Sequence, residues 1–234
     1  MADILAVLYD SVLRIDPKNP LWEDRDRLIL SKGHSCVGLY AALAHTGFFP
    51  LSDLESYGDD FSKLMCHISH KVAGVEFSTG SLGHGLPFGC GRALAAKRLG
   101  KAWRTFVLLS DGELDEGSNW EAFLFAPAHR LEGLVAIVDY NKIQSLGRVD
   151  EVLPLEPLAD KFRAFNWAVR EIDGHDHAAL AEALGSTPWK AGQPSVLIAH
   201  TVKGKGVPFM EDQLLWHYRN PGAEQLEEAR KGLE

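Results

Sequence analysis

Two uninterrupted apolar runs of strand length, Thr105-Phe106-Val107-Leu108-Leu109 and Leu134-Val135-Ala136-Ile137-Val138-Asp139, flank one helical segment. A strand with one wet face alternates apolar and polar residues. A run that is apolar throughout needs cover on both faces, as in a parallel sheet with helices above and below it. The intervening Gly117–His129 carries Trp120, Phe123, Leu124 and Ala128 at helical spacing, which completes a β-α-β unit. The expected class is therefore α/β, a parallel sheet flanked by helices on both faces.

The rest of the chain fits that plan. An opening helix through Ile4, Leu5, Val7, Leu8 and Val12 is expected to stop near Asp16-Pro17. Arg27–Leu30 reads as a short strand, and the turn Ser31-Lys32-Gly33-His34 after it opens a helix over Ser35–Thr46. Residues 47–79 read as irregular, and a helix is expected over Gly89–Leu99. Phe165–Ile172 and Ser195–Thr201 read as further strands with the helix Ala178–Leu184 between them, and Gly222–Gly232 as a charged helix. No repeat or low-complexity linker interrupts residues 1–234, so one domain is expected.

Composition narrows the function classes. The net charge of −8 argues against an electrostatic nucleic-acid footprint. The longest apolar runs are too short to cross a membrane, and no secretory signal peptide is expected. Cys36, Cys66 and Cys90 form neither a CxxC pair nor an even set, so a reducing cytoplasm is expected, without a disulfide framework or zinc knuckle.

In open parallel sheets, ligands bind beyond the carboxyl ends of the strands. Two such ends carry unusual polar groups: Asp111-Gly112 after the first run and Asp139-Tyr140-Asn141 after the second. Each could be an ordinary turn. Strand–helix–strand spacing of thirty residues between Asp111 and Asn141 also suits a shared hard cation such as Mg²⁺, which takes carboxylate, amide and carbonyl oxygens and fills its shell with phosphate and water. Gly112 would let the backbone approach a phosphate and donate its N–H.

The Asp111-Gly112…Asn141 spacing resembles the thiamine-diphosphate motif. Ser31-Lys32-Gly33-His34, the loop Gly74–Gly85, Ser110–Gly117, Asp139–Gln144 and His200–Gly206 are together similar to the N-terminal half of transketolase, in register along nearly the whole chain. The resemblance implies the thiamine-diphosphate-binding fold, specifically its diphosphate-binding domain. It also implies that the pyrimidine-binding and C-terminal domains reside on a separate chain, making this the N-terminal subunit of a split transketolase. The family's Gly-Ser-Gly-His-type segment, with its first active-site histidine, is expected to be missing, because residue 1 falls at the helix that follows it.

Carried over position by position, the resemblance makes Asp111 and Asn141 side-chain ligands of Mg²⁺ and Ile143 a ligand through its carbonyl. His34 and His217 are implied near the diphosphate and substrate. His67 corresponds to a substrate-contacting histidine, with Cys66 and Ile68 in place of the usual flanks and His70 as a competitor. Gly80, Leu82 and Gly112 are implied to contact the coenzyme. Glu116 is implied in a carboxylate relay at the subunit interface, against the alternative of an acid that simply favours a helix N-terminus. Lys203 and Lys205 are either near anionic groups or a solvated basic loop. Candidate catalytic residues are thus His34, His67, His217 and Glu116.

The implied reaction moves a two-carbon ketol unit from a ketose (phosphate) to an aldose (phosphate), with a C-terminal partner subunit. The implied assembly is a heterotetramer or a homodimer of this chain. Alternatives are a deoxyxylulose-phosphate-synthase-like or 2-oxoacid-dehydrogenase-α-like subunit, or a coenzyme-binding subunit without activity.

Overall fold

The computed structural model describes residues 1–233. Its frame is a five-stranded, all-parallel sheet. The strands are β1 (Arg27–Leu30), β2 (Thr105–Ser110), β3 (Leu134–Tyr140), β6 (Ala168–Asp173) and β7 (Ser195–His200), in the spatial order β1-β2-β3-β7-β6. A two-stranded antiparallel hairpin, β4 (Ile143–Gln144) and β5 (Gly147–Arg148), projects beyond β3.

The apolar runs are explained by two cores, one on each face. Alternate strand residues point to opposite faces. Leu28, Leu30, Phe106, Leu108, Val135, Ile137 and Leu197 face α1 (Ala2–Val7), α2 (Cys36–Thr46) and α7 (His177–Gly185). Ile29, Val107, Leu109, Ala136, Val138 and Ile198 face α3 (Gly85–Arg98), α4 (Gly117–Ala128) and α6 (Leu158–Ala164). Burying one such Leu, Ile or Phe side chain contributes about 1.5–3 kcal/mol, so both sets favour the central position of β2 and β3. The edge strand β6 is only partly buried and keeps Arg170, Glu171 and Asp173.

Several boundaries differ from the sequence reading. The opening helix ends at Val12, after a wide turn over Leu8–Val12, because Leu13 is already extended. Helix α3 starts at Gly85 rather than Gly89. Its glycines are contact points, since a Cβ at Gly85 would strike Ser31 and one at Gly89 would lie 2.5 Å from Val107. The strand expected from Phe165 begins at Ala168. Phe165 instead ends α6, and Asn166 turns the chain at φ +65°. Trp120, Phe123, Phe162, Phe165 and Trp167 form one aromatic cluster, so the apolar density read as a strand belongs to helix packing. The short α5 (Val149–Val152), α6 and the hairpin were not anticipated. The final helix is α8 (Ala223–Leu233). Among the described residues no helix is long and apolar enough to cross a membrane, and all three cysteines are free.

Candidate functional site

The carboxyl ends of all five sheet strands open into one cleft of about 370 Å³. Lys32 and His34 follow β1, Ser110–Gly112 end β2, and Asp139 and Asn141 end β3. His175 follows β6, and Thr201–Lys205 follow β7.

Register brings Ser110 level with Asp139, so Asp111 and Asn141 extend from neighbouring strand tips. Asp111 is 1% exposed. Its Oδ1 accepts the Gly112 N–H at 2.8 Å and its Oδ2 the Lys142 N–H at 2.6 Å. The second bond exists because Lys142 takes a left-handed conformation, φ +67°, that swings the chain into the hairpin. Asn141 Oδ1 accepts the Ile143 N–H at 3.1 Å. The two tips are therefore joined by backbone donors. Burial pushes the Asp111 carboxyl up to about 6 against those hydrogen bonds and the field of Lys32.

The neighbouring acid is in a different state. Asp139 is buried and forms an ion pair with buried Lys32, while the Thr201 hydroxyl donates to Oδ1 at 2.7 Å. Burial opposes its ionisation, but Lys32 and these hydrogen bonds hold it well below the usual carboxylate range.

Opposite the tips, His34 stands exposed with its ring centroid 5.9 Å from that of His217. Desolvation by the surrounding groups, followed by the charges of Lys32, His217, His67 and Lys203, lowers His34 to about 4. His217 is lowered by burial and by Lys203. Both imidazoles are neutral near pH 7. Among the described residues the buried Nδ1 of His217 has no hydrogen-bond partner, and both His217 and Gln144 line the cleft. Lys203 has no ion-pair partner among the described residues, and burial lowers its pKa. Lys205 lies 3.7 Å from Glu211.

These features fit a diphosphate bound through a divalent cation. Asp111 is a buried carboxylate with backbone donors but no direct cationic partner among the described residues, and the unsatisfied Nδ1 of His217 belongs to the lining of the same space. No group of three His, Cys, Asp or Glu side chains placed to hold a metal ion occurs among the described residues. A cation here would thus depend on Asp111, Asn141, the main chain near Ile143 and oxygens from the ligand.

The cleft brings together Asp111, Gly112, Asn141, Ile143, His34, His217 and Leu82. It does not include His67, Gly80 or Glu116. A Cβ at Gly80 would lie 2.7 Å from the His67 ring, so those two pack on each other beside the cleft. His67 Nδ1 also lies 3.5 Å from Cys66 Sγ, whereas the competitor His70 is tied to Ser78 Oγ at 2.7 Å. Glu116 is exposed at the start of α4, against Gly83. Trp120 and Phe123 belong to the core. The sequence assigns no role to Lys32, Thr201 or Glu113, and it marks Asp139 only as a polar strand end. Lys32 lies inside a recognisable turn and Asp139 ends an apolar strand, but their pairing is visible only once β1 and β3 are placed in one sheet.

The family described as "Transketolase, thiamine diphosphate binding domain" matches residues 1–234. The 6-deoxy-6-sulfo-D-fructose transketolase subunit SqwG of Clostridium sp. is 43% identical over 93% of this chain and 79% of its own length. An apulose-4-phosphate transketolase subunit from Actinobacillus succinogenes is 43% identical over 99% and 84%. Transketolase from Campylobacter jejuni superposes with a TM-score of 0.91 at 33% identity, covering 97% of this chain but only 37% of that one. With its parallel sheet, its strand-tip carboxylate and matches of this extent, the chain belongs to the transketolase thiamine diphosphate binding domain family.

Proposed function

We propose that this chain is the diphosphate-binding, N-terminal subunit of a two-chain transketolase. It works with a partner subunit that carries the pyrimidine-binding and C-terminal domains. The observation that carries this reading is the cleft at the five strand ends, where buried Asp111 lacks a direct cationic partner among the described residues. The names of the relatives as transketolase subunits support the two-chain organisation. The free thiols suit the reducing cytoplasm in which we place it.

When bound, thiamine diphosphate supplies the electron sink for breaking and making the carbon–carbon bond beside a carbonyl. Mg²⁺ would be held by the Asp111 carboxylate, the Asn141 amide and the Ile143 carbonyl. Gly112, Gln144, His217 and Lys203 have donors suited to diphosphate oxygens. Leu82 gives the cleft an apolar wall that excludes water. Neutral His34 and His217 can each donate one proton and accept another at hydroxyls of the reacting sugar. His67 beside Gly80 and Glu116 at the α4 start extend this machinery toward substrate and the subunit interface. The reaction is transfer of a two-carbon ketol unit from a ketose phosphate to an aldose phosphate, in a heterotetramer of two of each chain.

The test is ketol transfer by the purified chain with Mg²⁺ and thiamine diphosphate, with and without the partner subunit. Turnover only in the pair supports the proposal, whereas full turnover by the single chain contradicts it. Pyruvate in place of the ketose phosphate separates this activity from related thiamine enzymes.

A further inference from the structure

Leu82 lines the cleft from a loop, Thr79–Gly85, that has no regular structure before α3. A buried hydrogen-bond knot behind the cleft holds this loop. Glu113 is fully buried. Its carboxylate accepts from the Ser31 hydroxyl, from the Gly83 N–H at 3.0 Å and from the Ser110 N–H at 3.4 Å. Ser31 Oγ accepts the Gly85 N–H at 3.1 Å, which leaves its own proton for Glu113. Farther along the loop, the Thr79 hydroxyl donates to the Leu30 carbonyl at 2.6 Å, and the Ser118 hydroxyl to the Gly83 carbonyl at 2.7 Å. Gly80 and Leu82 therefore lie between two fixed points, one at the tip of β1 and one at Glu113.

A buried carboxylate is a costly anchor unless hydrogen bonds satisfy it. Lys32 does not neutralise Glu113 directly, because it is committed to Asp139. Glu113 instead joins the ends of β1 and β2 to the main chain of the loop. Removing it would leave the Gly83 N–H and the Ser31 hydroxyl buried without their acceptor.

We propose that Glu113 is a positioning residue that presets the Thr79–Gly85 wall for the coenzyme, a role that rests on the assignment of the cleft to thiamine diphosphate. The coenzyme then meets a loop that is already ordered. Glu113 itself touches no reacting atom.

The test combines amide hydrogen exchange on the coenzyme-free full chain with titration of thiamine diphosphate plus Mg²⁺ into the chain and its partner. Glu113→Ala is expected to speed exchange at Gly83 and Gly85 by about tenfold or more, leave the β2 and β3 amides unchanged, and raise the coenzyme Kd by a similar factor. Glu113→Gln, which keeps an acceptor oxygen, should recover much of both effects. Ser31→Ala keeps the carboxylate, guards against a misfolded Glu113→Ala, and should loosen the same two amides. Unchanged exchange at Gly83 and Gly85 in both Ser31→Ala and Glu113→Ala, or faster exchange with unchanged Kd, would overturn the proposal. Failure of the wild-type pair to bind the coenzyme would count against the assignment of the cleft, and the exchange rates would still decide whether Glu113 anchors the loop.

Discussion

Two buried aspartates end neighbouring strands of the same sheet, yet they occupy opposite electrostatic states. Asp139 is matched from within the chain by the Lys32 ammonium and the Thr201 hydroxyl, and is held in its ionised form. Among the described residues Asp111 has only two backbone donors, and burial pushes it up to about 6. Burial acts on both in the same direction, so the difference lies in the partners. Asp139 is a finished structural element that fixes β1 to β3 and β7. Under the proposed function, Asp111 is completed by a cation that the chain does not provide. A low-dielectric site that leaves one carboxylate uncompensated beside a compensated one gives a cation a specific place to bind.

The largest effect expected from breaking this contrast is on stability. Asp139→Asn strands the Lys32 ammonium in the interior, and losing one partner of a buried pair costs about 3–5 kcal/mol. Denaturant unfolding should show that loss whether or not coenzyme is present. Asp111→Asn should do the reverse. It removes an uncompensated buried charge, so the coenzyme-free protein is not destabilised at pH 8, while Mg²⁺-dependent coenzyme uptake falls by about a hundredfold or more, as loss of a charged ligand to a cation requires.

The pH dependence sharpens the same contrast. The folded-state pKa of Asp111 lies above its unfolded value, so its contribution to stability is full below about 4 and is lost as pH rises through about 6. Without metal, the wild type should therefore lose stability relative to Asp111→Asn across that window. Saturating Mg²⁺ and coenzyme should flatten the difference, because they favour the ionised form. Asp139 has the opposite sign: its contribution is present above about 4 and is lost as pH falls below that value. The smallest effect belongs to Ile143→Val. It trims a buried side chain at a cost of about 0.5–1.5 kcal/mol, and it should leave coenzyme affinity unchanged, because only the main-chain carbonyl is assigned to the cation.

The sequence made the sheet legible because burial on both faces leaves an unambiguous mark: β1 matched its expected bounds, and β2 and β3 each ran one residue longer. It also pointed to Asp111 and Asn141, since topology forces neighbouring parallel strand ends together. Helix α6 was missed because Phe162, Phe165 and Trp167 are apolar and aromatic in either secondary structure. The start of α3 was misplaced because glycine reads as a break, whereas Gly85 and Gly89 serve close packing. Lys32–Asp139 and Ser31–Glu113 were invisible for another reason. Each pair spans a long stretch of chain, and a charged residue in a turn carries no mark of which distant acid it will meet.

The central claim is that Asp111 and Asn141 hold a divalent cation through which thiamine diphosphate docks. Calorimetric titration of the coenzyme into the chain with its partner, with Mg²⁺ and with chelator, tests it most directly. The account predicts tight uptake that requires Mg²⁺ and disappears in Asp111→Ala and Asn141→Ala proteins that remain folded. Uptake that is indifferent to chelator, or that survives both substitutions, would contradict it.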